Sequence, residues 1–302
     1  MRLSLWPNLQ QPWADVLAVA QHAERSGWDG VYLADHFMGD GGGFGAVETP
    51  TLEVMAALGV LAGSTERVRL GTLVLGATYR HPAVVAKWAS TLDHASGGRV
   101  VLGVGAGWQQ NEHEQYGIPL PPVGDRVSRF AAYCDALRQL LTQPTTNVVS
   151  PWFTLTDAVC EPKPVQAPLP LLIGGKGDRM LAVVARHANE WNMWSNAEIL
   201  APRIAALRAA CERIDRDPAT ISVSTQALVM VTADRERAHT LIGAVAPRPA
   251  FAGTVPEIIE HMSKWRDLGV HEVIVPDFVL GRGSRRLDAL DALAAGFADL
   301  RE

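Results

Sequence analysis

The chain has 302 residues, a formal net charge of -5 at pH 7, 48% hydrophobic residues and 20% charged residues. This composition indicates a globular protein with a sizeable core and excludes an intrinsically disordered chain. Because the net charge is negative, nothing favours binding to a phosphate backbone, and we expect no nucleic-acid partner.

Cysteine usage and hydropathy predict the cellular compartment. The three cysteines are odd in number and far apart in the sequence, which argues against a disulfide framework and fits a reducing environment. The residues that follow Met1, RLSLW, do not form the apolar core of a signal peptide. No stretch reaches the ~18 continuous apolar residues of a membrane span. We therefore expect a cytoplasmic protein with no membrane partner.

Short apolar runs that end at turn residues alternate with helical periodicities along the chain. The apolar runs predict strands at residues 3–5, 30–33, 68–76, just before Gly105, 171–173, 190–194, 221–231 and 273–276. The helical patterns cover residues 13–26, 51–62, 81–95, 125–141, 178–187, 197–214, 257–268 and 286–300, with one more helix capped by Asp234. Runs this continuously apolar are typical of strands buried on both faces of a parallel sheet.

Eight strand candidates, each followed by a helix, predict the α/β class and a (β/α)8 TIM barrel. We expect one barrel domain over residues 1–302, with an insertion around residues 147–170. A doubly wound open sheet is the alternative, since the sequence does not show whether the sheet closes.

Two segments depart from the alternation. Residues 38–48 include five glycines and form a loop long enough to act as a lid. Residues 147–170 contain repeated prolines and short apolar pieces, which predicts an insertion with a small hairpin over part of the barrel mouth. We expect both segments to line the substrate pocket.

The residues at the carboxyl ends of the predicted strands are candidates for a ligand site, because barrels bind ligands there. They are Asp35-His36, Leu73-Val74-Leu75 with Thr78, Gly105 to Trp108, Gly174-Gly175-Lys176, and Asn192 with Trp194. The set is rich in glycine and aromatic residues and poor in nucleophiles, which favours a site where a bound cofactor supplies the chemistry. The glycine turn before the helix at residue 178 favours an anion.

Several common catalytic motifs are missing from the sequence. There is no Gly-x-Ser-x-Gly elbow, and His113 has no second histidine four residues away, so we expect no metal site. The run from Gly103 to Gly107 resembles a dinucleotide fingerprint, but Trp108 stands where the third glycine is needed. We therefore reject a Rossmann site.

Five runs over nearly the whole chain resemble one superfamily: GWDGVYLADHF, RVRLGTLVLGATYRHPAVVAK, GGRVVLGVGAGWQQNEHEQYG, EPKPVQAPLPLLIGG and FAGTVPE. They are similar to the luciferase-like monooxygenases, and most of all to the branch that uses coenzyme F420. FMN-using members share the barrel, so the motifs are less specific for the cofactor than for the superfamily.

The resemblance implies a role for each group of strand-end residues. Asp35 and His36 would lie at the deazaflavin ring as catalytic and cofactor-binding residues, with His36 handling a proton. The Leu73-Val74 pair matches a bulge with a non-prolyl cis peptide that backs the ring. Backbone groups of Ala106 and Gly107 would contact the cofactor, and Gly174 and Gly175 would approach its phosphate. Further cofactor-binding candidates are Trp108, Lys176 and Asn192.

Two positions depart from the family pattern. Some F420 enzymes carry a carboxylate where this chain has Trp108, so their general acid is not transferred; Trp108 either stacks on the ligand or packs under the rim. Some also use a lysine after the sixth strand, and residues 191–198 contain none. Anion binding is then left to Lys176, Arg282 or backbone amides.

These observations support three hypotheses. The first is an F420-dependent oxidoreductase that transfers a hydride between the deazaflavin and a small organic substrate. The second is an FMN-dependent luciferase-like monooxygenase, and the third is a cofactor-binding protein without turnover, because His36 is the lone acid–base candidate. The apolar faces of the predicted helices would also be compatible with a homodimer.

Overall fold

Eight parallel strands close into a barrel in the computed structural model, which describes residues 1–301. In chain order the strands are β1 (Arg2–Trp6), β2 (Gly30–Leu33), β3 (Arg69–Thr72), β4 (Leu75–Gly76), β5 (Val100–Gly105), β6 (Thr146–Val149), β7 (Thr154–Ala158), β8 (Leu171–Gly174), β9 (Glu190–Trp194), β10 (Ser222–Gln226), β11 (Leu228–Val231), β12 (Ala250–Gly253) and β13 (Glu272–Pro276). Strands β3 and β4 are two pieces of the third barrel strand, and β6, β7, β11 and β12 lie outside the barrel.

Helices follow the barrel strands. They are α1 (Trp13–Arg25), α2 (Val54–Ser64), α3 (Pro82–Ser96), α4 (Gln110–Tyr116), α5 (Val123–Thr142), α6 (Asp178–His187), α7 (Ala197–Glu212), α8 (Arg235–Val245), α9 (Val255–Asp267) and α10 (Ser284–Gly296). Within residues 1–301, none of these helices combines the length and the apolar character needed to traverse a bilayer.

The ring closes in the order β1, β2, β3 with β4, β5, β8, β9, β10 and β13, and β13 pairs with β1. The closed ring confirms the predicted TIM barrel and rules out the doubly wound open sheet. Most predicted elements agree with the structure to within a few residues, because each buries one apolar face between the barrel and the helices.

Polar side chains fill the end of the barrel at which the strands begin. The Glu272 carboxylate is fully buried and accepts hydrogen bonds from Ser4 Oγ at 2.5 Å, Arg69 Nη1 at 2.8 Å and Tyr32 Oη at 3.1 Å. Arg69 also pairs with Glu190 at 2.5 Å. This network occupies the amino end of the barrel, so a ligand can enter at the carboxyl ends of the strands.

The third barrel strand carries a bulge instead of running unbroken from residue 68 to 76. Gly71 pairs with Val101 and Leu75 pairs with Val104, so three residues of this strand face two residues of β5. The peptide bond between Leu73 and Val74 is cis. Both the bulge and the cis bond were implied by the family resemblance.

Glycines on the neighbouring strands make room for the bulge. A Cβ atom on Gly105 would lie 2.7 Å from Val74 Cγ2, and one on Gly174 would lie 3.1 Å from the same atom. A Cβ on Gly103 would lie 1.9 Å from the backbone oxygen of Thr72. These glycines are therefore required by packing within the protein, apart from any ligand.

Two further predicted segments differ from the structure. The predicted strand 221–231 is two strands, because the chain leaves the barrel at Ala227 and β11 pairs with β12 outside it. The insertion contains the predicted hairpin, β6 with β7, but the rest of it packs along α3, where Gln166 N donates to Asp93 Oδ2 at 2.9 Å. It lies outside the cavity at the carboxyl ends of the strands, so its prediction as a pocket wall is wrong.

Substituting Gly103 tests the packing of the bulge. We expect Gly103→Ala to lower the free energy of unfolding by about 1–3 kcal/mol or more, because the new methyl group overlaps rigid backbone at Thr72. Gly59→Ala is the matched control, since Gly59 lies in α2 with no atom within 4 Å of its added Cβ. The control should be neutral or stabilising by up to about 1 kcal/mol. Equal stability of both variants in urea unfolding would contradict this account.

Candidate functional site

The carboxyl ends of the barrel strands surround a cavity of about 630 Å³. The predicted site residues all line it: Asp35, His36, Leu73, Val74, Ala106, Gly107, Trp108, Gly174, Gly175, Lys176 and Asn192. The structure therefore brings together residues that lie up to 157 positions apart, from Asp35 to Asn192. Their individual roles stay predictions.

His36 is oriented by the buried carboxylate of Glu112, which lies 76 positions away in the sequence. Its Nδ1 atom lies 3.3 and 3.4 Å from the two oxygens of Glu112. Glu112 is fully buried and also accepts hydrogen bonds from the backbone nitrogen of Phe37, at 2.7 Å, and from the hydroxyl of Tyr79. Because Nδ1 faces Glu112, Nε2 is the ring nitrogen left for a ligand.

The electrostatics of Glu112 keep it ionised. Burial by itself raises the pKa of this carboxyl. Hydrogen bonds from His36 and Tyr79 lower the pKa by more than burial raises it, so it lies below its usual 4.5. No local pattern in the sequence connects Glu112 with His36, so this pair was not predicted. Next to it, His113 is fixed by Gln109 O at 2.6 Å and Thr78 Oγ1 at 2.8 Å.

The Asp35 carboxylate borders the cavity but is fully engaged by the protein. It forms a bidentate pair with Arg80, at 2.6 and 3.0 Å, and accepts the Gly76 N–H at 2.9 Å. Burial raises the pKa of Asp35, and the Arg80 guanidinium opposes that rise. These contacts fix the end of β4, and the catalytic role that the resemblance implies for Asp35 stays a prediction.

Aromatic rings form one rim of the cavity around His36. Its ring centroid lies 5.7 Å from Phe44, stacked, and 5.5 Å from Trp108, edge-on. Trp108 is 53% exposed, so it does not pack beneath the rim. Phe44 comes from the glycine-rich loop, and this part of the loop lines the cavity as expected.

A cationic wall lies at the amino ends of α5 and α6. Lys176 is exposed in the glycine turn before α6. Arg126, which was not predicted from the sequence, donates a hydrogen bond from Nη1 to Gly107 O at 2.9 Å. Arg126 Nε is buried with no hydrogen-bond partner within residues 1–301. Gly107 and Gly175 have positive φ values, 84° and 147°, that favour glycine. An unpartnered guanidinium nitrogen beside exposed backbone fits a phosphate group.

A segment that was not predicted from the sequence, at Pro247, Arg248 and Pro249, lines the cavity between α8 and β12. No strand-end pattern marks this segment, because β12 lies outside the barrel. Arg282, a predicted anion ligand, is not among the lining residues. The turn that contains it follows the short helical segment Asp277–Val279 and reaches the surface instead.

Fold and site together define a (β/α)8 barrel protein with a cofactor-sized cavity at the carboxyl ends of its strands. Residues 1–266 match the family described as luciferase-like monooxygenase. The chain belongs to this family.

Known proteins similar to the chain include both F420 and FMN proteins. An F420-dependent glucose-6-phosphate dehydrogenase of Beutenbergia cavernae is 31% identical over 233 residues, 74% of this chain and 66% of that protein. Other curated relatives are matched over about half their length. An F420-dependent secondary alcohol dehydrogenase bound to an F420–acetone adduct has a TM-score of 0.84 at 19% identity, over 98% of this chain and 99% of its own. A riboflavin lyase with modified FMN has a TM-score of 0.83 at 14% identity, over 99% of this chain and 91% of its own.

Glu112→Gln tests the buried carboxylate. Since the folded-state pKa of Glu112 is depressed, its contribution to stability is complete above about pH 4.5 and is lost as the pH falls through the folded-state value. We expect the variant to lose about 1–3 kcal/mol of unfolding free energy at neutral pH, and to lose less in acid. Urea unfolding across pH measures this difference.

Glu114→Gln is the control for that series. Glu114 lies in the same helix and is exposed, with Gln110 as its hydrogen-bond partner. We expect a change below about 0.5 kcal/mol at every pH. A pH-independent loss in the Glu112 variant would mean that the ionised form of the carboxylate does not matter.

Proposed function

We propose that the chain is an oxidoreductase that uses coenzyme F420 to transfer a hydride to or from a small organic substrate. The observation that carries the proposal is the convergence of the predicted site residues on one cavity, with His36 at its aromatic rim. The named F420-dependent relatives support the choice of cofactor.

The residues of the cavity fit such a cofactor. The bulge at Leu73 and Val74 and the backbone of Ala106 and Gly107 would hold the flat ring, since the first two offer apolar side chains to the cavity and the last two carry almost no side chain. Arg126, Lys176 and the amides around Gly175 would hold the phosphate. The glutamate-bearing tail of F420 makes it a more anionic cofactor than FMN, so the unpaired cations of this wall favour F420.

Bound F420 supplies the carbon that accepts or releases the hydride; the protein supplies position, exclusion of water and a proton relay. His36 Nε2 would give a proton to a substrate oxygen or take one from it. Glu112, ionised and facing Nδ1, fixes the orientation of the ring and leaves Nε2 for the substrate. Glu112 is thus a positioning residue that acts through His36.

FMN-dependent oxygenation is the second candidate, favoured by the riboflavin lyase with modified FMN that shares the fold. Oxygen uptake by the protein with reduced FMN, compared with hydride transfer to or from F420, separates the two reactions. A carrier without turnover would bind F420 tightly and show neither reaction.

Fluorescence titration with F420 and FMN tests cofactor binding. We expect F420 to bind at least 10-fold more tightly than FMN. Arg126→Gln should weaken F420 binding by about 10-fold, which corresponds to ~1.4 kcal/mol for one lost charge-assisted contact. Arg282→Gln, which removes a cation outside the cavity, should leave binding unchanged. If neither cofactor binds the wild-type protein, the proposed function is wrong.

His36→Gln tests the proton relay in the F420-loaded protein. With secondary alcohols and sugar phosphates as trial substrates, we expect turnover to fall by ~10²-fold or more while the Kd for F420 changes less than twofold. Absorbance of oxidised F420 follows the reaction. Turnover equal to that of the wild type would remove His36 from the chemistry.

A further inference from the structure

A third cation, Arg248, borders the cavity and belongs to a different segment from the cationic wall of Arg126 and Lys176. Arg126 and Lys176 follow β5 and β8, the fourth and fifth positions of the eight-strand ring. Arg248 belongs to the segment that follows β10, the seventh position, and reaches across to the loop after β2. The strands between those two points, β13 and β1, lie diametrically opposite β5 and β8. The segment that carries Arg248 is therefore anchored on the part of the ring opposite the strands that carry Arg126 and Lys176.

Arg248 is held in place without neutralisation of its charge. Its Nη1 atom donates to Gly43 O at 2.9 Å, and its guanidinium carbon lies 4.0 Å from the centre of the Phe44 ring. In the part of the chain that the structure describes, no carboxylate lies within 4.0 Å of it. A guanidinium that is positioned by a carbonyl and a ring keeps N–H groups free for an anion.

Gln226 provides a second polar group on this side. It ends β10, lines the cavity and is only 3% exposed. Its Oε1 atom is buried and accepts no hydrogen bond from residues 1–301. A buried carboxamide oxygen without a partner is costly, and a ligand that donates an O–H or N–H would satisfy it.

The remainder of this side is aromatic. The rings of Trp6 and Trp194 line the cavity with centroids 5.5 Å apart, and Phe278 packs edge-on against Trp6 at 5.1 Å. Phe44 lies between Arg248 and His36. These surfaces suit a flat apolar body, which aromatic side chains contact over a large area.

We propose that this side is a substrate subsite for carboxylates with a flat apolar body, with the carboxylate on Arg248 and a hydroxyl or N–H group on Gln226. One unpaired cation matches a monoanion better than a phosphate monoester, which carries more charge. The identification of the ligand as the substrate rests on the proposed function, because only then does it share the cavity with F420. The cofactor tail also carries carboxylates, so the test must separate the two sources.

Tryptophan fluorescence of the protein without cofactor gives a readout that is independent of activity. Phenylacetate and 2-phenylethanol are the probes, since they share a ring and differ in charge. We expect the wild type to bind the acid at least 10-fold more tightly than the alcohol, and Arg248→Gln to abolish that preference. Arg248→Lys should retain part of it. A wild type without preference for the acid would overturn the proposal.

Because Arg248 also contacts the glycine-rich loop, a second variant tests charge without touching that contact. Gln226→Glu places a negative charge in the subsite and should weaken phenylacetate binding by at least 10-fold, with less than a threefold effect on 2-phenylethanol. If Arg248→Gln weakens both probes equally and Gln226→Glu changes neither, Arg248 serves only to hold the loop and the proposal fails.

Cofactor titrations of the Arg248 variant separate this proposal from the proposed function. We expect Arg248→Gln to bind F420 and a deazaflavin without the glutamate tail as the wild type does. If the variant binds F420 more weakly but binds the tailless deazaflavin as the wild type does, Arg248 contacts the cofactor tail and the substrate assignment is overturned. If the wild type binds neither F420 nor FMN but still prefers the acid, the proposed function is refuted. The proposed carboxylate subsite is then still supported.

Discussion

Close packing between Val74 and glycines of neighbouring strands shapes the floor of the cavity. The extra residue in the third strand pushes Val74 toward β5 and β8, and Gly105 and Gly174 have no side chain to oppose it. Thr72 completes the arrangement, because its hydroxyl lies 2.9 Å from Gly103 N and 2.7 Å from Gly103 O across the bulge. The flat, apolar floor is therefore a property of the folded barrel itself.

The contacts around this floor divide the polar groups of the cavity by function. Asp35 and Arg80 satisfy each other and fix the end of β4, whereas Glu112 leaves one nitrogen of His36 free. Arg126 and Arg248 come from segments anchored on different parts of the ring and make no ion pair within residues 1–301. The internal pairs maintain the shape of the site, and the unpaired groups are the ones available to ligands.

Local patterns in the sequence were enough to predict the barrel and the strand-end residues, because burial and turn chemistry act over a few residues. The same patterns could not reveal Glu112 or Arg248, whose partners His36 and Gly43 lie 76 and 205 positions away. The prediction for residues 147–170 failed for a related reason. The composition of this segment indicated an irregular insertion. Its position on the outer face of α3 depends on hydrogen bonds to that helix, which composition does not reveal.

The departure of the chain from the barrel at Ala227 has a consequence for how this site can diversify. Strands β11 and β12 pair only with each other, in a small sheet beside the barrel, and they deliver Pro247 to Pro249 to the cavity. Insertions or replacements between these strands would not alter any hydrogen bond of the ring. Changes there can therefore remodel the Arg248 side of the cavity without moving the turns after β5 and β8 that carry the cationic wall.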